Sequence, residues 1–337
     1  MDNDNETSHK IDLLSRLGRY MESNELAWMD AQDRAVQANA WFTPEHVVIA
    51  VDNIVNEYLQ KDKLQQWVAA YQLPTTQKTV GIVMAGNIPL VGFHDLLCGY
   101  VSGHKLLLKL SSKDEVLMTH LLGKLAEWYA ETVQRVQIAE RLNNCDAYIA
   151  TGSNNTARYF EQYFGRYPHI IRKNRTSVAV LDGTETDAQL ELLADDVYLY
   201  YGLGCRNVTQ VYVPRNFNFE RLLRIFNSHN RYADLNKYKN NYDYHLAIYL
   251  LNRVPYMSND SLLMVENDLP FSAVSVLHYK YYDDREALVT ALKNNTDIQA
   301  IIGNGFIPFG DAQKPALNDY ADGVDTLAFL CAIGKAQ

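Results

Sequence analysis

The cysteine at position 205 is the residue of this chain best suited to covalent chemistry. It follows Gly202-Leu203-Gly204, where glycine allows a tight bend and lets a ligand approach the backbone closely. A thiol in such a bend is open on one side and framed by backbone N–H groups, which is how a cysteine nucleophile is presented. The alternative is a small buried core residue, the usual fate of a free cysteine. The sequence therefore makes Cys205 a candidate nucleophile.

A helix and a strand must position this thiol. An apolar, tyrosine-rich run at residues 188–201 predicts a helix before the bend, and alternation at residues 209–213 predicts a strand after it. The bend at residues 202–205 therefore has to connect the two elements. The predicted helix before the bend and the predicted strand after it would then orient the thiol.

Strands and helices alternate through most of the remaining chain. Repeated β-α-β units of this length favour parallel, doubly wound sheets, whose ligands bind beyond the C-terminal ends of the strands. Residues 1–75 have a helical pattern, and the polar stretch 227–244 is predicted to be a solvated loop without chemistry. The other predicted elements are strands 79–84, 105–110, 146–150, 177–181, 273–279 and 299–302, and helices 89–101, 114–132, 153–164 and 285–294.

Asn87 comes directly after the first of these strands. Its side-chain amide has two possible uses: it can point over the sheet edge toward a ligand, or it can cap a helix that Pro89 opens. The surrounding turn contains no Gly-x-Gly-x-x-Gly pattern, so a dinucleotide here would not be held by the usual glycine fingerprint.

Lys109 closes the next strand and is followed by Ser111, Ser112 and Lys113. A lysine at the C-terminal end of a buried strand is well placed for a ribose or a phosphate. The alternative is a surface lysine with a buried stem.

Thr151, Gly152 and Ser153 follow the third strand and open a helix. Their hydroxyl and backbone N–H groups favour an anion site, and an ordinary helix N-cap is the alternative.

Composition excludes several other classes of protein. The chain has 337 residues, 47% of them hydrophobic and 21% charged, which is typical of a globular protein with room for two domains. Its net charge of −9, without a basic stretch, argues against nucleic acid. The four cysteines are far apart, without a metal-binding or disulfide pattern, and reduced thiols fit a cytoplasmic protein. The polar N-terminus is not a signal peptide, and no apolar run is long enough to span a membrane.

The order of these groups resembles that of the aldehyde dehydrogenase superfamily. Within it the chain most resembles the LuxC-type acyl-CoA reductases, over roughly residues 75–310. The segments that carry the resemblance are Gly-Asn-Ile-Pro-Leu-Val-Gly-Phe-His-Asp-Leu-Leu at 86–97 and Gly-His-Lys-Leu-Leu-Leu-Lys-Leu-Ser-Ser-Lys-Asp at 103–114. The ordered set of four sites is more specific than any single motif.

The resemblance implies a role for each site. Cys205 would match the thiol nucleophile of the family, and Asn87 the amide that stabilises the oxyanion together with the Cys205 backbone N–H. Lys109 would match the lysine that binds the adenosine ribose, and Thr151, Gly152 and Ser153 the turn that faces the cofactor. The segment Ile-Pro-Phe-Gly at 307–310 resembles the family's late Pro-Phe-Gly turn.

Two departures narrow the expected chemistry. Hydrolytic aldehyde dehydrogenases carry a glutamate where this chain has residues 172–175, Arg-Lys-Asn-Arg, so oxidation of an aldehyde to a free acid is not expected. The acidic ribose partner is replaced by Ser111 and Ser112, which leaves room for a 2′-phosphate and favours NADPH over NADH. The carboxylate that grips the nicotinamide ribose would be Glu266 or Asp268.

Together these expectations describe an α/β enzyme of the aldehyde-dehydrogenase type, with a parallel Rossmann-type cofactor domain and an α/β catalytic domain. The expected divisions are a helical region at 1–75, the cofactor domain at 76–176 with 306–337, and the catalytic domain at 177–305. The expected reaction is NADPH-dependent reduction of a fatty acyl-CoA or other acyl thioester to the aldehyde, through a thioacyl-cysteine. His94 is either a proton donor or a structural residue.

Two other functions remain open. One is a cysteine acyltransferase without hydride transfer, and the other is a non-catalytic subunit of an acyl-reducing complex. The expected partner is an acyl-CoA or acyl-carrier thioester, a homo-oligomer is left open, and neither nucleic acid nor a metal ion is expected.

Overall fold

The computed structural model describes residues 2–335, and the side chains of residues 5–335. The chain forms two compact units, which are described separately. The first comprises the described residues up to Asn174 and those from Pro315 onward, and the second is Arg175–Lys314.

Four helices precede the first sheet, and their apolar faces share one core with it. Buried side chains such as Leu17, Trp28 and Val55 belong to the same cluster as Ile82 in the first strand. Thr43 accepts a hydrogen bond from the His46 N–H at 3.1 Å and caps the third helix. The helices are α1 (Asp2–Met21), α2 (Leu26–Ala38), α3 (Pro44–Tyr58) and α4 (Lys61–Ala69).

The sheet of the first unit is parallel, with the strand order β3-β2-β1-β4-β5. The order reverses between β1 and β4, so this edge is the topological switch point at which α/β sheets bind ligands. The elements are β1 (Thr79–Val83), α5 (Phe93–Ser102), β2 (Lys105–Lys109), α6 (Val116–Trp128), α7 (Glu131–Arg135), β3 (Val136–Ile138), β4 (Ala147–Thr151), α8 (Asn154–Phe164) and β5 (His169–Arg172).

The second unit is built on a sheet of the order β11-β6-β7-β10-β9-β8, in which β8 runs antiparallel to β9 and the other neighbours are parallel. Its elements are β6 (Thr176–Val180), α9 (Asp187–Tyr198), β7 (Val208–Pro214), α10 (Phe219–Phe226), α11 (Asn236–Asn252), β8 (Met257–Ser258), β9 (Leu263–Glu266), β10 (Val276–Tyr282), α12 (Arg285–Lys293) and β11 (Ile298–Gly303). A final helix, α13 (Thr326–Ile333), belongs to the first unit.

The predicted α/β class with parallel sheets is confirmed, but several local predictions are wrong. Residues 227–244 do not form a loop: a 3-10 helix at Asn227–Asp234 leads into α11. Tyr238 and Tyr242, one helical turn apart, are buried there, and the surrounding lysines and asparagines hide that pattern in the sequence.

Two further wrong predictions concern helix starts, and the strand expected at 273–279 begins at Val276. The helix expected from residue 89 begins at Phe93, because Leu90 has a left-handed φ of 56°. The helix expected from residue 114 begins at Val116, and Asp114 is buried before it.

The compact units follow boundaries different from the expected divisions. The helices before residue 75 lie in the same unit as the first sheet, and residues 306–314 lie in the second unit. Which unit binds the cofactor and which the substrate stays a prediction. Among the described residues, no helix has both the length and the apolar character needed to cross a membrane.

Candidate active site

Cys205 lies in a short segment between α9 and β7 whose backbone is unusual. Helix α9 ends at Tyr198, three residues earlier than the sequence predicts. Tyr200, Tyr201 and Gly202 then adopt left-handed conformations in succession, with φ of 54°, 58° and 73°. A left-handed conformation is uncommon for residues other than glycine, and such residues gather at functional sites. The reversal leaves the Cys205 side chain exposed, whereas Gly204 and Arg206 on either side are buried.

Asn207, two residues beyond the cysteine, connects this segment to the end of α9. Its Oδ1 accepts a hydrogen bond from the Gly204 N–H at 2.8 Å. Its Nδ2 donates to the carbonyl oxygens of Leu199 at 2.7 Å, Asp196 at 3.1 Å and Val197 at 3.4 Å. The side chain is fully buried. Asn207 thus satisfies carbonyl groups that the helix end would otherwise leave without partners.

A hydrogen bond from Ser177 and close packing at Gly204 also hold the backbone at the cysteine. The buried Ser177 hydroxyl donates to the Cys205 carbonyl oxygen at 3.1 Å. A Cβ on Gly204 would lie 2.9 Å from Asn207 Oδ1, so that position has no room for a larger residue. The thiol is therefore exposed while the main chain beneath it is held by buried groups.

Asp196 joins the end of α9 to the segment that resembles a Pro-Phe-Gly turn. Its carboxylate accepts hydrogen bonds from the Gly310 N–H at 2.8 Å and the Ala312 N–H at 3.1 Å. Burial raises its pKa to about 7, with Asp195 and Asp311 adding to the shift. Sequence reasoning missed Asn207, Ser177 and Asp196, because a buried polar residue inside an apolar run has no distinctive pattern. The short Cys-x-Asn spacing was the available signal.

Asn87 is exposed on the segment that follows β1, at the sheet edge of the first unit. A Cβ on Gly86 would lie 2.5 Å from Ser111 Oγ, so the segments after β1 and β2 approach closely here. The buried Asp114 carboxylate accepts hydrogen bonds from the backbone N–H groups of Leu90 and Val91, and burial raises its pKa well above the ordinary range. Asp114 therefore fixes the segment that carries Asn87, a role the sequence did not indicate.

The other predicted cofactor residues end neighbouring strands of the same sheet. Lys109 is the last residue of β2 and is exposed, as is Ser112. The Ser111 hydroxyl accepts the Lys113 N–H at 3.3 Å. All of them lie at the C-terminal edge of the parallel sheet, where sequence reasoning placed them.

Thr151 is the last residue of strand β4, which lies across the switch point from β1, and Gly152 and Ser153 follow it. Ser153 caps α8 by accepting the Thr156 N–H at 3.2 Å. The N-cap alternative is therefore present in the structure, and the anion-site reading stays a prediction.

Arg172 is the first residue of the segment 172–175, which the sequence analysis matched to the glutamate-bearing segment of hydrolytic aldehyde dehydrogenases. It ends β5, and its buried guanidinium donates to Asp95 at 2.5 Å and to the Thr326 hydroxyl at 2.8 Å. This strand end holds a buried ion pair inside the first unit. Residues 172–175 contain no acidic residue, and Arg172 among them is a buried cation paired with Asp95.

His94 is surrounded by a backbone carbonyl and by aromatic rings. His94 Nε2 lies 3.0 Å from the Leu317 carbonyl oxygen, and its ring packs against Tyr58 and Tyr320 at 4.9 and 5.3 Å between centroids. These contacts favour the structural alternative for His94.

The exposed Glu266 is in register with Tyr279 of β10, which is in register with Val211 of β7. It is level with the middle of β7, whereas Cys205 precedes that strand. Its neighbour Asp268 pairs with Lys280 at 2.6 Å. The role of either carboxylate toward a nicotinamide ribose stays a prediction.

Several solved structures that match this fold are aldehyde dehydrogenases. Aldehyde dehydrogenase 21 from Physcomitrella patens, solved with the reaction product succinate, matches with a TM-score of 0.65 at 11% identity, over 88% of this chain and 73% of that one. An NAD+ complex of an aldehyde dehydrogenase from Bacillus cereus matches with a TM-score of 0.62 at 13% identity, over 88% and 71%. Identities this low show the fold, and the predicted aldehyde-dehydrogenase-like architecture is confirmed.

A third match is a variant of the indole-3-acetaldehyde dehydrogenase AldA from P. syringae, in complex with NAD+, with a TM-score of 0.63 at 12% identity, over 88% of this chain and 71% of that one. No curated protein sequence matches this chain. The family model of the acyl-CoA reductase LuxC matches residues 6–220, a range that includes Asn87, Lys109 and Cys205. That range is more than half of the chain, and the predicted resemblance is thereby confirmed: the protein belongs to the LuxC family of acyl-CoA reductases.

Proposed function

We propose that this protein reduces an acyl-CoA or another acyl thioester to the aldehyde with NADPH, through a thioacyl intermediate on Cys205. The observation that carries the proposal is the contrast among the four cysteines, all of which the structure describes. Cys205 is exposed and the other three are buried. Burial raises the pKa of Cys98, Cys145 and Cys331, and a thiol with a raised pKa is a poor nucleophile.

In the proposed reaction the Cys205 thiolate attacks the thioester carbonyl carbon. A tetrahedral oxyanion forms, and the proposal assigns its stabilisation to the Asn87 amide and the Cys205 backbone N–H. One such donor contributes about 2.7–4 kcal/mol to transition-state stabilisation. The carbon–sulfur bond to CoA then breaks, CoA leaves as its thiolate, and the acyl group remains on Cys205 as a thioester.

The strand order of the first unit supports a nicotinamide dinucleotide as the cofactor. The segments after β1 and β4 flank the switch point of the sheet, where dinucleotides bind in open α/β folds. We propose that Lys109, Ser111 and Ser112 bind the adenosine ribose and its 2′-phosphate, and that Thr151, Gly152 and Ser153 face the cofactor. The bound cofactor supplies the hydride that converts the thioacyl enzyme to the aldehyde.

The residues at 172–175 support reduction over hydrolysis. Activating a deacylating water needs a general base, and the strand end at Arg172 carries a buried, paired guanidinium. A thioacyl enzyme without an adjacent base would persist until hydride or another thiol removes the acyl group.

Intact-mass measurement after incubation with an acyl-CoA, without NADPH, tests the proposal. We expect one acyl adduct, mapped to Cys205, and its loss when NADPH is added. Cys205→Ala should abolish the adduct and the reduction, and Cys145→Ala is the matched control that should retain both. An adduct on another cysteine would contradict the assignment. CoA release without NADPH oxidation would favour the acyltransferase. If the protein neither releases CoA nor oxidises NADPH, the result would favour the non-catalytic subunit.

A further inference from the structure

Asn207 makes more contacts with the thiol segment than a helix cap requires. It bonds the N–H of the residue before Cys205 and carbonyl groups at the end of α9, while its own N–H donates to the Gly204 carbonyl oxygen at 3.1 Å. We propose that Asn207 is a positioning residue for the nucleophile, fixing the main chain so that the thiol keeps one orientation. This inference rests on the proposed role of Cys205.

The backbone between Leu199 and Gly204 has an unfavourable conformation, which explains why Asn207 is needed. Tyr200, Tyr201 and Gly202 are left-handed in succession, and the first two are not glycine. Each non-glycine residue in that region is disfavoured, so the segment would relax unless other groups held both of its ends. Asn207 bonds Leu199 on one side of the reversal and Gly204 on the other.

Asp196 extends the same network to residues 310–312. Its carbonyl oxygen accepts from Asn207, and its carboxylate accepts from the Gly310 and Ala312 N–H groups. The Pro-Phe-Gly-like turn and the thiol segment are thereby attached to one residue at the end of α9. A shift of Asn207 would be transmitted to both.

Misplacement of a reacting group by about 1 Å can lower a rate about 10²-fold. We therefore expect Asn207→Ala to slow acylation of Cys205 by roughly 10- to 100-fold. The KM for the acyl-CoA should change less than the rate, since Asn207 is buried and is not assigned to substrate binding.

Asn259 provides a matched control in the same unit. It is also a buried asparagine with several side-chain bonds, to Tyr198, Ser261 and Leu262, but none to the thiol segment. Asn259→Ala should lower the melting temperature about as much as Asn207→Ala while leaving the acylation rate within about twofold of the wild type.

The experiment measures three quantities for each variant: the single-turnover rate of acyl transfer from acyl-CoA to Cys205, the pH profile of Cys205 alkylation by iodoacetamide, and the melting temperature. A displaced thiol should change the first two, which a loss of stability alone would not change. Wild-type acylation and alkylation rates in Asn207→Ala, or an equal loss in Asn259→Ala, would overturn the proposal.

Gly204→Ala tests the same contact if Asn207→Ala does not fold, because its Cβ would lie 2.9 Å from Asn207 Oδ1 and displace it. It should slow acylation in the same way, and a wild-type rate in this variant would overturn the proposal. Failure of the proposed function has a different signature: the wild-type protein itself would form no adduct at Cys205.

Discussion

The segment that carries Cys205 and the segment that carries Asn87 use the same means of support in two separate units. Each contains a left-handed residue other than glycine, Leu90 in one and Tyr200 with Tyr201 in the other. Asp114 accepts two backbone N–H groups of the Asn87 segment, and Asp196, at the helix end before the thiol segment, accepts those of Gly310 and Ala312. Burial raises the pKa of both carboxylates.

The two segments differ in where their support comes from. Asn207 holds the thiol segment from two residues away, whereas Asp114 reaches the Asn87 segment from the neighbouring strand connection. The proposed nucleophile is thus held locally, and the proposed oxyanion donor is held by a distant part of the chain. The comparison predicts that changes in the two segments will have separable effects.

Among variants that keep Cys205, Asn87→Ala should give the largest loss of rate. Removing one oxyanion donor lowers kcat by roughly 10²–10³-fold. Because Asn87 is exposed, the melting temperature should change little. Steady-state kinetics, NADPH titration and thermal unfolding check this. A main effect on NADPH affinity or on stability would make Asn87 a cofactor contact or a structural residue instead.

Asp196 should make the stability of the second unit depend on pH. Its pKa is raised from 3.8 to about 7 in the folded protein, so the folded state binds a proton that the unfolded state has released. Stability should therefore fall as pH rises between these values, by roughly 2–3 kcal/mol from pH 5 to about 7. Urea unfolding of the wild type and of Asp196→Asn at both pH values measures this, with the exposed Asp234 of the same unit, changed to Asn, as the control. The same pH dependence in the wild type and in Asp196→Asn would contradict the assignment.

Asp114→Ala should release the Asn87 segment without touching Asn87. Two buried N–H groups would lose their acceptor, at a cost of about 1–3 kcal/mol each. We expect lower stability and a kcat reduced by roughly tenfold, because the oxyanion donor is displaced and not deleted. Asp114→Asn, which keeps one acceptor oxygen, should lie between this variant and the wild type. An unchanged kcat in Asp114→Ala would show that the segment holds its shape without this carboxylate.

The smallest effect expected is on the choice of cofactor. Lys109→Ala should weaken NADPH more than NADH, and Ser112→Glu should shift the preference toward NADH by repelling the 2′-phosphate. Lys105, exposed at the opposite end of β2, is the matched control, and its alanine variant should bind both cofactors as the wild type does. Fluorescence titration of both cofactors provides the measurement. Equal or tighter binding of NADH by the wild type would refute the proposed phosphate site and leave Cys205 unaffected.

The sequence was sufficient for the parts of the molecule that have a period or a motif. The strands before Asn87 and Lys109 are short apolar runs, and they lie within a residue or two of their predicted places. The exposed Cys205 was predicted by its glycine-bearing bend. The family was predicted by the order of four short segments, none of which is distinctive alone.

The supporting residues could not be predicted, for a physical reason. Asp114 looked like an ordinary first-turn acid, and Asn207 fell in the connection before the predicted strand at 209–213. Their roles depend on which distant N–H and carbonyl groups come within 3 Å or so, and that is decided by tertiary packing. The error at residues 227–244 has a related cause, because the buried tyrosines there are polar enough to be read as surface residues.

The left-handed pair Tyr200 and Tyr201 has a consequence for the chain outside its folded context. Each left-handed residue is disfavoured by roughly 1–2 kcal/mol, whereas truncating a buried aromatic ring costs about 3–5 kcal/mol. Both tyrosines are buried, and the Tyr201 ring packs against Tyr232 and Tyr238 at 5.3 and 5.6 Å between centroids. The turn is therefore kept by the packing of its side chains together with the Asn207 hydrogen bonds, and not by local preference. A short peptide spanning residues 198–208 should not adopt it, and grafting those residues alone onto another scaffold should not reproduce the orientation of the thiol.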